Sequence, residues 1–121
     1  MSITQVDAGT QIKNLVFSRG GTVVSQTNPA NIVVWQAPFA CTVTNVRGLV
    51  SGAIGSTINA RKNGSLKHLA ADLTLSTLDT WLDGGAVQNV SYAQGDKMEI
   101  MITSVAGLPS QIAIQVDFTK P

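Results

Sequence analysis

Residues 95–119 decide the fold: Gly95-Asp96-Lys97-Met98-Glu99-Ile100-Met101-Ile102-Thr103, then Ser104-Val105-Ala106-Gly107-Leu108-Pro109-Ser110, then Gln111-Ile112-Ala113-Ile114-Gln115-Val116-Asp117-Phe118-Thr119. Gly95-Asp96 breaks the chain, and Met98, Ile100 and Ile102 then alternate with Glu99, Met101 and Thr103. Gly107-Leu108-Pro109 is a second break. Beyond it Ile112, Ile114, Val116 and Phe118 alternate with Ala113, Gln115, Asp117 and Thr119. A period of two sends alternate side chains to opposite faces of a sheet. The segment reads as two long neighbouring strands with a short connection, each with an apolar face that must be buried against another sheet.

Working outward, the rest of the chain is strand-like too. Leu15-Val16-Phe17 is a short apolar run closed by Gly20-Gly21, with Thr22-Val23-Val24-Ser25 as its pairing partner. Asn28-Pro29 marks a turn. Ile32-Val33-Val34-Trp35 is continuously apolar, which predicts a strand covered on both faces and ended by Ala37-Pro38. Cys41 to Ser51 is a strand whose alternation slips between Val43 and Val46, the signature of a bulge, with Gly48 marking a bend or close approach. Gly52 to Gly55 is a loop. Thr57 to Lys62 is a strand followed by Asn63-Gly64, a hairpin turn in which both residues need positive φ, and its partner begins at Leu66. Leu73, Leu75 and Thr77 share a face. Thr80-Trp81-Leu82 is a short strand closed by Asp83-Gly84-Gly85, and Val87 to Tyr92 leads to the break at Gly95.

Helix formers are scarce, with Glu99 the one glutamate in 121 residues, while Val, Ile and Thr are common. Short strands at regular spacing predict an all-β fold: an antiparallel β-sandwich of about eight strands over residues 13–121, preceded by an extended N-terminal arm at residues 1–12.

Composition narrows the function. Charged residues make up 12% of the chain, about half the usual share, and the net charge is +1. There is no basic stripe, so the electrostatic footprint of nucleic-acid binding is missing. The opening residues Met1 to Asp7 lack the basic and apolar regions of a secretory signal, and the apolar runs are too short to span a bilayer. No membrane partner is expected. A single cysteine, Cys41, rules out an internal disulfide and reads as a small buried hydrophobe in a chain made in a reducing cytosol. Low charge fits an assembly subunit as well as it fits a merely neutral protein.

No constellation of reactive residues emerges. His68 is the only histidine, and its place just past the Asn63-Gly64 turn predicts a surface or rim position without a catalytic role. Asp72, Asp79, Asp83, Asp96 and Asp117 are scattered, without the clustered oxygens of a calcium site, and read as turn formers or solvated loop groups. Asp83-Gly84-Gly85 lacks the lysine and helix of a phosphate loop. Trp35 reads as core. Trp81, with Asp79 and Asp83 on its side of the strand, is the aromatic whose exposure is in question; with Trp35 and Tyr92 it could form a sugar-stacking platform, but a place in the core is the expectation. Arg47, Arg61 and Lys62 lie on strands, as solvated groups or as partners of aspartates across an interface. The residues give no catalytic, cofactor or metal site, and the expectation is a protein that is not an enzyme.

Four stretches together carry a resemblance. Trp35-Gln36-Ala37-Pro38-Phe39-Ala40-Cys41-Thr42-Val43, the hairpin Asn59-Ala60-Arg61-Lys62-Asn63-Gly64, the segment Asp79 to Asn89, and Gly95-Asp96 ahead of the closing strands to Phe118 occur in the order seen in a family of short bacteriophage virion proteins. The chain resembles that family from about residue 30 to 119. Gly-Asp before a penultimate long strand is also similar to trimeric jelly rolls of the tumour-necrosis and complement type. The resemblance implies a jelly-roll-like sandwich acting as a virion structural protein, assembled in the host cytoplasm. The expected role is a capsid decoration (cement) protein that bridges major capsid subunits, forms a homotrimer and needs no cofactor. The alternative is a receptor- or carbohydrate-binding module of a tail fibre or baseplate, with Trp81 as its contact.

Overall fold

The structure, a computed structural model, describes residues 15–121. The expected arm at residues 1–12 lies outside them. Ten strands follow in chain order: β1 (Val16–Val24), β2 (Ala30–Gln36), β3 (Cys41–Ser51), β4 (Thr57–Lys62), β5 (Leu66–Lys67), β6 (Leu73–Thr74), β7 (Leu82–Asp83), β8 (Ser91–Tyr92), β9 (Lys97–Ser104) and β10 (Gln111–Thr119). They form two antiparallel sheets packed face to face. One runs β1-β10-β3-β7, with β8 also on β3, and the other runs β2-β9-β4-β5, with β6 also on β4.

The count is ten where the sequence suggests about eight, and the reason is local. β5 and β6 both pair with β4, and β7 and β8 both pair with β3. Each pair is one strand position broken into two pieces by an excursion of the chain. Counted as positions, the first strand pairs with the last and the second with the last but one, the nested wrap of a jelly roll.

The two deciding strands are not partners. β9 lies in one sheet and β10 in the other, so their apolar faces meet across the sandwich instead of sharing one side. Met98, Ile100 and Ile102 of β9 and Ile112, Ile114, Val116 and Phe118 of β10 are all buried. Each such side chain contributes about 1.5–3 kcal/mol on burial, so this facing pair is the centre of the core. The slip in β3 is a bulge. Asn45 pairs with Asp117 and Val43 with Phe118, leaving Thr44 as the extra residue. The bulge lets both Val43 and Val46 point inward although three residues apart, and both are buried.

Two expectations fail at the other end of the chain. Leu15–Phe17 and Thr22–Ser25 do not pair with each other. β1 runs straight through Gly20-Gly21 and pairs along its whole length with β10. A Cβ at Gly20 would sit 2.0 Å from the Ile114 carbonyl oxygen, so this glycine permits close strand approach where the sequence suggests a break. β2 is not covered on both faces: it is an edge strand, and Val33 is 55% exposed. At Asn63-Gly64 the turn forms as expected, with φ of 53° and 78°.

Candidate binding surface

Aromatic residues divide the molecule. The chain has two tryptophans, one tyrosine and three phenylalanines. Five of these six gather at one end of the core. Phe118 stacks on Phe17 with centroids 5.2 Å apart, meets Tyr92 edge-on at 5.2 Å and lies 4.9 Å from Trp35, while Phe39 meets Phe17 edge-on at 5.6 Å. Trp35 therefore belongs to the core, as its sequence context suggests. Trp81 stands apart and is 44% exposed.

The chain holds Trp81 from both sides. Before it, Asp79 adopts a φ of 54°, its N–H donates to the Val50 carbonyl at 2.8 Å, and its carboxylate accepts from the Ser51 hydroxyl. After it, β7 pairs with β3 at Gly48↔Leu82 and Arg47↔Asp83, and Asn45 Nδ2 donates to Asp83 Oδ1 at 2.9 Å. The two aspartates flanking Trp81 thus tie its segment to β3, and neither is a free loop group. Trp81 immediately precedes the β7–β3 pairing and stands at the outer face of the β1-β10-β3-β7 sheet, with Thr22, Ala113 and Gln115. Across that face the rows run Leu49, Ala113, Thr22 and Arg47, Gln115, Gly20. Ala113 is small and Gly20 has no side chain. The sheet surface is hollowed there into an open cleft of about 430 Å³, bounded by Ser18, Thr22, Trp81 and Gln115.

A polar network lies along one margin of the cleft. Asp117 is largely buried on this outer face and accepts hydrogen bonds from Ser18 Oγ at 2.5 Å, from Arg47 and, over 3.4 Å, from Gln115 Nε2. Burial works against ionisation of Asp117, but these donors outweigh it and hold the carboxyl below the usual aspartate range. The hydrogen bond to Asp117 likewise holds the Arg47 guanidinium in its charged form, although its Nε is buried without a partner. Of the strand cations, Arg47 thus pairs with an aspartate within the chain. Arg61 pairs with Glu99, donating from Nε and Nη2 at 2.9 and 2.8 Å. Lys62 donates to the Ser91 carbonyl at 2.6 Å.

His68 departs from expectation. It is not on the rim but fully buried, its Nε2 2.8 Å from the Tyr92 hydroxyl and its Nδ1 3.2 Å from the Gln88 carbonyl. The backbone explains this: after β5 the chain stays on β4, with His68 N–H donating to the Ala60 carbonyl, and carries the ring inward. Burial pushes the imidazole pKa down from 6.5 and that of Tyr92 up. Neither ring lines the cleft. Cys41 is buried, and desolvation, with a smaller push from Asp96, raises its thiol to about 11; it is no nucleophile at neutral pH. Asp96 caps its own turn, accepting from Asn63 Nδ2 at 3.0 Å and from the Ala93 N–H at 2.8 Å.

Asn59 has a structural role that the sequence does not announce. Although fully buried, it is fully bonded. Its Oδ1 accepts from the Leu69 N–H at 3.1 Å, and its Nδ2 donates to the Leu69 carbonyl at 3.0 Å and to Asp72 Oδ1 at 2.9 Å. The side chain fills the place of a backbone rung where β5 has ended and β6 has not begun. Asp72 is thus a partner of Asn59 and not a solvated loop group.

Among the described residues no three His, Cys, Asp or Glu side chains converge as a metal site, and no helix is long and apolar enough to cross a membrane. No protein-family model matches the chain, and no curated protein matches it in sequence.

Proposed function

We propose that the protein is a non-enzymatic structural protein of a bacteriophage virion: a decoration (cement) protein that forms a homotrimer and bridges subunits of the major capsid protein. One observation carries this reading, the asymmetry of the sandwich's two sides. On one side the sheets end in two-residue strands, β5, β6, β7 and β8. On the other they end in the nine residues of β1 and the seven of β2, which lie against each other. Among the described residues nothing pairs with the outer edge of either strand.

Natural sheets blunt long edges with charge, proline or short strands. This edge instead exposes Val16, Val24, Ile32 and Val33, with Val24 at 70%. Its one cation, Arg19, lies flat over Phe17 and Trp35, 5.0 and 5.6 Å from their ring centroids. Such an edge suits a permanent contact. Seated against a face of the next copy, it makes a heterologous contact that closes a ring of three. Standard interfaces bury on the order of 1,600 Å², and many identical bridges on one shell act together by multivalency. The assignment of such an assembly to a particle rests on the resemblance in motif order to short phage virion proteins.

Two measurements test the proposal. In purified virions, a copy number that scales with the major capsid protein supports it, and absence from particles or a copy number matching the tail refutes the decoration role. In analytical ultracentrifugation the wild type sediments as a trimer, and the pair Val24→Arg with Val33→Arg sediments as a monomer with an unchanged melting temperature. A monomeric wild type refutes the assembly step.

A further inference from the structure

We propose that the cleft beside Trp81 is a binding site for a neutral saccharide, with one hexopyranose ring seated on the indole and its hydroxyls bonded to Gln115, Ser18 and Thr22. The cleft adjoins the β1–β2 edge, because Ser18, Gly20 and Thr22 belong to β1. It lies on the outer face of the β1-β10-β3-β7 sheet, and the proposal does not depend on the virion role.

Three observations converge on this ligand class. The first is the isolation of Trp81. The other five aromatic residues are drawn into one core cluster, whereas this indole is 44% exposed. Large apolar rings are costly to leave in water, and an exposed indole suits the C–H face of a sugar.

The second is rigidity. The Asp79–Val50 and Asp79–Ser51 bonds on one side and the β7–β3 pairing with the Asn45–Asp83 bond on the other fix the tryptophan's backbone within two residues each way. With the backbone held in this manner, only the side-chain torsions of Trp81 remain to be ordered when a ligand settles on it.

The third is the polarity of the cleft. At about 430 Å³ it falls in the range of small-molecule sites. Its floor is Ala113 and the bare backbone at Gly20, which lets a ring come down onto the sheet. Its polar walls are two hydroxyls and one amide, groups that both donate and accept, as sugar hydroxyls require. Asp117 takes its bonds from Ser18 and Gln115 and so sets the orientation of both before a ligand arrives. The carboxylate itself is spent on Arg47, so the cleft offers no free anion to attract a cationic ligand. The one charged residue on the lining, Arg19, carries its guanidinium away over Phe17 and Trp35. A neutral polyol with one apolar face fits this surface better than an ionic ligand does.

The test is saturation-transfer difference NMR on the full-length protein with maltotriose, cellotriose, mannotriose and chitotriose, each titrated to about 10 mM, since single-ring sites commonly bind near the millimolar range. The readout does not use tryptophan emission, so removing Trp81 does not remove the signal source. At least one trisaccharide is expected to give a saturable signal that Trp81→Ala weakens about tenfold or more, that Trp81→Phe partly keeps and that Gln115→Ala reduces. The melting temperature of Trp81→Ala should stay close to wild type, which separates lost binding from lost folding. Silence from all four sugars, or a signal unchanged in Trp81→Ala, overturns the site. Copy number in virions is unaffected by either result, so this proposal and the decoration role fail independently.

Discussion

Replacing Asn59 with alanine should cost about 3 kcal/mol, an unusually large loss for a small polar side chain. The structure sets the magnitude. Asn59 is fully buried and bonds both backbone groups of Leu69 as well as Asp72. Truncation strands the Leu69 N–H and carbonyl, and the Ala60 N–H that also donates to Asn59 Oδ1 at 2.8 Å, where β4 has no neighbouring strand. Each orphaned buried group costs about 1–3 kcal/mol. Asp72 is exposed and rehydrates at little cost, so the sum is three such penalties at the lower end of the range. For a chain of this size about 3 kcal/mol corresponds to a fall in melting temperature of roughly 10–15 °C. Urea denaturation followed by far-ultraviolet circular dichroism measures it, with an unchanged m-value confirming that the folded state is retained.

Asn59→Asp sharpens the test. It keeps the shape and the acceptor, but it cannot donate to Leu69 and it sets a second carboxylate beside Asp72. It should cost at least as much as alanine. In a double-mutant cycle, Asp72→Ala should recover part of the loss in Asn59→Asp and almost none of it in Asn59→Ala. A cost below about 1 kcal/mol for Asn59→Ala, or a tolerated aspartate, would refute the idea that this side chain stands in for a missing rung.

Two further predictions concern the strands and the buried histidine. Gly20→Ala should unfold or gravely destabilise the protein, because its Cβ would fall 2.0 Å from the Ile114 oxygen, while Gly21→Ala meets only side chains at 3.4 and 3.5 Å and should be nearly neutral in thermal melts. Equal effects at the two glycines would contradict the β1–β10 register. His68 is neutral in the folded state with its pKa lowered from 6.5, so the stability it contributes is complete above that pH and is lost as the pH falls below it, when the unfolded chain takes up a proton that the folded one resists. Melting temperatures between pH 7.5 and 5 should fall toward acid in the wild type and fall less in His68→Gln; parallel curves would rule out this linkage.

What could be read from the chain depended on whether a signal was local. The alternation in β9 and β10, the slip at Val43–Val46 and the Asn63-Gly64 turn are short-range patterns, and each maps onto the structure. Sheet membership is not local. The connection at Ser104–Ser110 can join strands of one sheet or cross between two, and alternation is the same in both cases, so β9 and β10 read as neighbours although they face each other. The glycines of β1 look like punctuation because their tight approach to Ile114 is set by a strand far away in sequence. Ile32 to Trp35 reads as doubly covered because an apolar run does not distinguish a central strand from an edge that awaits a partner. The buried His68 and the bridging Asn59 both follow from the interrupted strand position between β5 and β6, and polar residue types gave no sign of it. Trp81, expected in the core, is exposed instead, because its segment is attached to the rim of β3; the cleft beside it, formed where Gly20 meets Ala113 and Gln115, carried no sequence mark.

The unequal sides of the sandwich also limit growth. Runaway strand-on-strand stacking needs a template at each rim, so that every added copy leaves a fresh one behind. Here one rim is continuous and the other is cut into two-residue fragments that hold too few hydrogen bonds to recruit another ribbon. A copy that docks through β1 and β2 brings no second sticky rim with it. Rim-to-rim strand pairing of folded molecules is therefore expected to stop at a pair, and fibre formation by that route would require the short-stranded side to open first.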